Sequence, residues 1–153
     1  MSHRHLKVAF GSVLAVLLGL LPACTQSNRD AERFVDDLEN ASKGLKTGEI
    51  LRMDSVNTGK WDRMFLFPPY TPTGDIEVTL RSKLPSSITG SRISERDDIN
   101  LIVFMNGGDV QLVATVVRSA VDFFTPTPRP LLRDNAQFNK PAPENRLVWI
   151  GQK

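Results

Sequence analysis

The chain has very little of the chemistry from which most catalytic and metal sites are built. In 153 residues, histidine occurs only as His3 and His5, and cysteine only as Cys24. Both histidines sit in an opening that reads as an export signal: Arg4 and Lys7, an apolar run from Val8 to Leu21, then the small Ala23. Once that segment is removed, no imidazole and no second thiol remain. Ser-His-Asp and Cys-His catalysis, which need an imidazole base, are excluded. Zinc sites built from cysteine and histidine are excluded as well. No disulfide can form within the chain, so packing alone must hold the fold. An excess of one charge is missing too. The 19 basic residues exceed the 17 acidic ones only through Arg4 and Lys7, which leave with the signal and make the remainder formally neutral. No basic field is left to attract nucleic acid. Long apolar runs are also absent, because Val8 to Leu21 is short of the ~20 residues that cross a bilayer core.

The informative stretch is Leu21-Pro22-Ala23-Cys24. With its basic start and short apolar run, it resembles the lipobox of bacterial lipoproteins. That resemblance implies cleavage before Cys24, lipid on the Cys24 thiol and an acylated new amine. The expected organisation is a signal peptide over 1–23, a lipidated cysteine with a short tether over 24–29, and one domain over 30–153. The expected partner is the membrane, through the lipid, in a bacterial cell envelope. Thr25 stands where an aspartate often marks inner-membrane retention in similar lipoproteins, so the inner leaflet of an outer membrane is favoured where the cell has one. An ordinary secretory signal with a stray thiol and a membrane span are the rival readings.

Removing the signal leaves 130 residues, enough for one modest core. Asp30 to Lys43 carries an apolar stripe of Ala31, Phe34, Val35, Leu38 and Ala41 at helical spacing, with Gly44 as its stop. Asp36, Asp37 and Glu39 form its acidic outer face, read as a solvated surface or a docking face. Glu49 to Met53 is either a helical turn or an edge strand. From Trp61 to Phe67 alternation puts Trp61, Phe65 and Phe67 on one face and Met64 and Leu66 on the other. Pro68 and Pro69 end that strand, and Thr71-Pro72 resembles a helix cap and first residue. A helix to about Lys83 follows, then a polar loop over 86–98. Ile99 to Met105 and Val110 to Arg118 form a β-hairpin around Asn106-Gly107-Gly108-Asp109. The run from Thr125 to Pro130 is polyproline-like, and Arg146 to Ile150 is a last strand.

Trp61-Asp62, the strand after it, Phe67-Pro68-Pro69-Tyr70-Thr71 and the downstream hairpin resemble a pattern in uncharacterised small envelope lipoproteins of bacteria. This likeness implies a compact α+β domain and no particular activity. The pattern of elements points the same way: two helices packed on an antiparallel sheet of three to five strands.

Three function classes fit. The first is a lipid-anchored binding or assembly module with an envelope protein as partner, no cofactor and no enzymatic activity. The second is a lipoprotein for a small ligand or ion, using Tyr70, Asp97, Asp98 or Asp109. The spacing of these aspartates matches no known cation loop, so no metal is expected. The third is a glycan-acting enzyme with two carboxylates ~5 to ~9 Å apart, although nothing in the spacing selects such a pair.

Overall fold

The computed structural model describes residues 23–124 and 129–151, with the backbone alone for 23–26. Leu21, Pro22 and the proline-rich residues 125–128 lie outside the described residues. The first helix, α1, runs Ala23–Gly44. It starts well before Asp30, and the segment 25–29, expected as a tether, forms its opening turns. The physical reason is local: no glycine or proline lies between Ala23 and Lys43 to stop the helix. Its stripe behaves as expected, with Phe34 and Leu38 buried. Its C-terminal end, where carbonyls lack helical partners, is met by a buried lysine: Lys140 Nζ donates to the Ser42 carbonyl at 3.0 Å and to that of Leu45, just past the helix, at 3.1 Å.

The chain continues through β1 (Ile50–Arg52), α2 (Met53–Val56), β2 (Arg63–Phe67), α3 (Thr73–Leu80) and α4 (Ser86–Gly90). A 3₁₀ turn at Ile93–Glu95 leads to β3 (Ile99–Asn106) and β4 (Asp109–Val117). Then come β5 (Asp122–Phe124), β6 (Leu131–Leu132), β7 (Gln137–Asn139) and β8 (Arg146–Trp149). The fold is α+β, as the pattern of elements implied, and the hairpin β3–β4 is its centre. The strands form two four-stranded sheets, ordered β4-β3-β2-β6 and β1-β7-β8-β5. The first is antiparallel throughout. In the second, β5 and β8 run parallel.

The first sheet is buried on both faces. Met64, Leu66, Ile102, Phe104 and Leu112 share one core with α1 and with Phe123, Phe138 and Leu147 of the second sheet. Phe65, Phe67, Leu101, Val103 and Met105 share another with Ile76 and Leu80 of α3, Ile88 of α4, and Ile93. That arrangement explains why β3 is apolar on both faces, since an uncovered face would carry polar side chains.

Three local expectations are corrected. Trp61 joins the face of Met64 and Leu66, not that of Phe65 and Phe67. Alternation holds only inside a strand, and β2 starts two residues later, at Arg63. Trp61 packs edge-on against Phe104 at 5.0 Å, and its Nε1 donates to the Asn57 carbonyl. Thr71 does not cap α3: its hydroxyl donates to the Pro68 carbonyl, and Pro72 occupies the cap position. The loop expected over 86–98 contains α4 and the 3₁₀ turn, because Ile88 and Ile93 drop into the second core.

Candidate functional site

Tyr70, Asp97 and Asp98 lie towards one end of the central hairpin, and Asp109 lies at the other. Asp98 directly precedes β3, whereas Asp109 opposes Asn106 at the turn. The strand between them spans roughly 23 Å at ~3.3 Å per residue. The structure therefore does not bring Asp109 to the other two aspartates. Tyr70 has φ 63°, and its N–H donates to the Ile93 and Arg96 carbonyls at 2.9 and 3.2 Å. Its ring is exposed. Asp98 is engaged by Arg96, whose Nε donates to it at 2.8 Å; that bond holds its carboxyl below the usual carboxylate range. The Asp97 carbonyl accepts from Arg118 Nη1 at 3.0 Å. Among the described residues, no group of three or more histidine, cysteine or acidic side chains is placed to hold a metal ion.

The strongest polar cluster is centred on a residue the sequence did not single out, Asp122. Its carboxylate accepts from Arg118 Nε at 2.7 Å, and Arg146 Nε lies 3.5 Å away. The Asp122 N–H donates to the Asn145 carbonyl, and Asn145 Nδ2 donates to the Arg118 carbonyl. Burial, the largest single influence on this carboxyl, raises its pKa. The hydrogen bond and charge of Arg118, helped by Arg146, outweigh burial and set the pKa below the ordinary value. The buried Asn100 amide also favours the carboxylate, as a nearby dipole, since its Nδ2 makes no hydrogen bond of ordinary geometry among the described residues. The cluster ties β4 to β5 and β8, and so joins the two sheets. Every charge in it has a partner, which marks it as a structural tie.

The feature that is open to another molecule is the outer edge of β4. β4 ends the sheet order, so among the described residues only β3 pairs with it. The Arg118 N–H donates to the Asp98 carbonyl at 2.8 Å. Bonded pairs alternate along an antiparallel ladder, so Asn100–Val116, Ile102–Ala114 and Phe104–Leu112 exchange hydrogen bonds in this register. Val113 and Thr115 then direct their N–H and C=O groups away from β3. A groove of about 450 Å³ runs along these two residues. One wall is α1, with Ala31, Glu32, Val35 and Asp36; the other is the α4 region, with Ser87, Gly90 and Ser91. Glu32 and Asp36 are exposed, and neither pairs with a cation among the described residues.

No family model, curated protein or solved structure matches this chain. Sequence patterning located β4 and the acidic residue Asp36 separately. It missed their meeting, because strand order and the packing of α4 are not local properties. One signal was present: Val110 to Val117 contains no lysine, arginine or proline, the residues with which exposed strand edges are usually guarded.

Proposed function

We propose that this protein is a lipid-anchored module of the bacterial cell envelope, held by acylated Cys24 and working by binding or assembly with an envelope protein. The observation that carries the binding role is the free edge of β4 in a groove beside α1. An unpaired strand edge is a ready template for a further strand. The anchor and the groove share one element. Cys24 lies in the first turn of α1, and the groove wall begins at Asn28. At ~1.5 Å per helical residue, the wall spans about 6 to about 18 Å along the axis from the anchor. In this reading the binding edge faces partners close to the bilayer, with the inner leaflet of an outer membrane as the favoured location. Two or more acyl chains hold a protein stably, whereas one holds it only marginally.

Mass spectrometry of the mature N-terminus tests the anchor. The expected species starts at Cys24 and carries added acyl mass, and Cys24→Ala accumulates as a larger precursor. A mature start elsewhere, or an unmodified Cys24, overturns the anchor. Cross-linking in intact envelopes tests the binding role. Adducts from positions beside β4, lost when the groove is filled, are expected; their absence counts against it.

A further inference from the structure

We infer that the β4 groove takes an extended basic segment of a partner protein, which adds to the sheet as a strand alongside Val113 and Thr115. The inference deepens the binding role proposed above and rests on it.

Three observations define the occupant. First, the free groups are backbone groups. The outward N–H and C=O of Val113 and Thr115 form a short half-ladder, and an extended chain satisfies such a row. Second, the two walls differ. Side chains of an added strand alternate between faces. Those on the α1 side meet Glu32 and Asp36, one helical turn apart, with no cation among the described residues paired to either. Those on the α4 side meet Gly90 and Ser91, which carry no charge. Arg33 lines the opposite flank of α1, and Arg92 beside the α4 wall is already engaged by Glu95. The occupant is thus an alternating segment: lysine or arginine towards α1, uncharged residues towards α4. Third, the same charges argue against a second copy. Two β4 edges paired antiparallel about a two-fold axis would place both α1 helices on one face, with Glu32 and Asp36 of each copy approaching their counterparts.

The test uses the full chain in detergent micelles and two blocked peptides, Lys-Val-Lys-Thr-Lys-Val-Lys and its counterpart with glutamate for every lysine. Amide hydrogen exchange at Val113 and Thr115 is the readout, since strand addition protects these two amides directly. The lysine peptide is expected to slow their exchange by about tenfold or more, and the glutamate peptide to leave it unchanged. The paired change Glu32→Lys and Asp36→Lys should reverse that preference. Gly90→Phe should abolish protection by filling the groove; a Cβ at Gly90 meets nothing within 4 Å, so the backbone there accepts a side chain without a clash at its first atom. Equal protection by both peptides overturns the basic occupant and leaves the docking edge standing. Protection by neither overturns strand addition and leaves the Cys24 anchor, with its separate mass measurement, untouched. Dimers in sedimentation that Gly90→Phe dissolves would overturn the inference in favour of a second copy.

Discussion

The two edges of the central sheet are treated in opposite ways. At one, β6 is two residues long, Leu131–Leu132, with Pro130 just before it and Arg133 just after. The Arg133 guanidinium lies over the Trp61 ring at 4.9 Å, and Nη1 donates to the Gly59 and Trp61 carbonyls at 2.7 and 3.2 Å. A short strand, a proline and a planted cation are three of the devices by which proteins blunt an edge. At the other edge, β4 is nine residues long, and its only charged residue is Asp109 at the hairpin tip. Helices stand above and below it, but its backbone faces a groove. A sheet guarded on one side and open on the other has a direction in which it can grow. That difference, more than any cluster of side chains, gives this protein a surface with a definite chemistry.

The comparison breaks most sharply within β4 itself. Ala114 lies in a bonded pair with Ile102, whereas Thr115 opposes Leu101 and points its N–H outward. Ala114→Pro should remove a ladder bond and unfold the domain, at a cost of ~3 kcal/mol or more. Thr115→Pro removes an N–H that β3 does not use, so it should fold and lose only the capacity to accept a strand. Far-ultraviolet circular dichroism with urea melts distinguishes the two. Equal damage from both would mean that the register at this edge is wrong.

The guarded edge depends on the core beneath it. Trp61 is buried, supports Arg133 and contacts Phe104. Phe65 is buried on the opposite face. Trp61→Ala and Phe65→Ala should each cost ~3–5 kcal/mol in thermal or urea unfolding. A melt matching wild type for either would show that its side chain contributes nothing to the packing.

The tie between the sheets anchors the far end of β4. Asp122→Asn should cost about 1.5–3 kcal/mol at neutral pH, towards the lower figure because the Arg118 side chain is 39% exposed. The sign of its pH dependence follows from the depressed pKa. The stabilisation is present above the unfolded-state value near ~3.9 and is lost as pH falls through the lower folded value. Unfolding curves of wild type and variant should therefore converge in acid. A gap that persists at low pH would remove the ion pair as its cause.

Two smaller effects sharpen the contrast. Arg133→Ala should cost ~1–2 kcal/mol through the lost carbonyl contacts and ring contact, and should expose the β6 edge to faster amide exchange. Unchanged exchange there would mean that the arginine guards nothing. Gly107 has φ 60°, so Gly107→Val should cost ~1–2 kcal/mol at the hairpin tip. A neutral melt would show that the turn can readjust.

These regions were unequally legible in the sequence. The hairpin could be read because two long arms alternate around Asn106-Gly107-Gly108-Asp109, and α1 because Phe34 and Leu38 recur at helical spacing. The α+β class followed from those two elements and the strand before Pro68. β1, β5 and β7 are three residues each, too short for any periodicity to register, so the second sheet stayed hidden. Ile88 and Ile93 are isolated apolar residues in a polar run, and only the core that receives them explains the helical turns there. Trp61 lies on the face opposite to the one its alternation implies, because the pleat of β2 begins only at Arg63. Of the proposed ligand residues, Asp98 proved to be occupied by Arg96, and Asp109 lies at the other end of the hairpin. The open edge depends on the order of strands in space, which no local pattern encodes.

The claim that one edge is open and the other closed can be tested in a single experiment. Nuclear Overhauser contacts between the lysine-bearing peptide and the full chain in micelles report where the peptide's backbone lies. The account predicts contacts from the peptide amides to Val113 and Thr115 and none to Leu131 or Leu132. Contacts at β6, or an equal share at both edges, would contradict it.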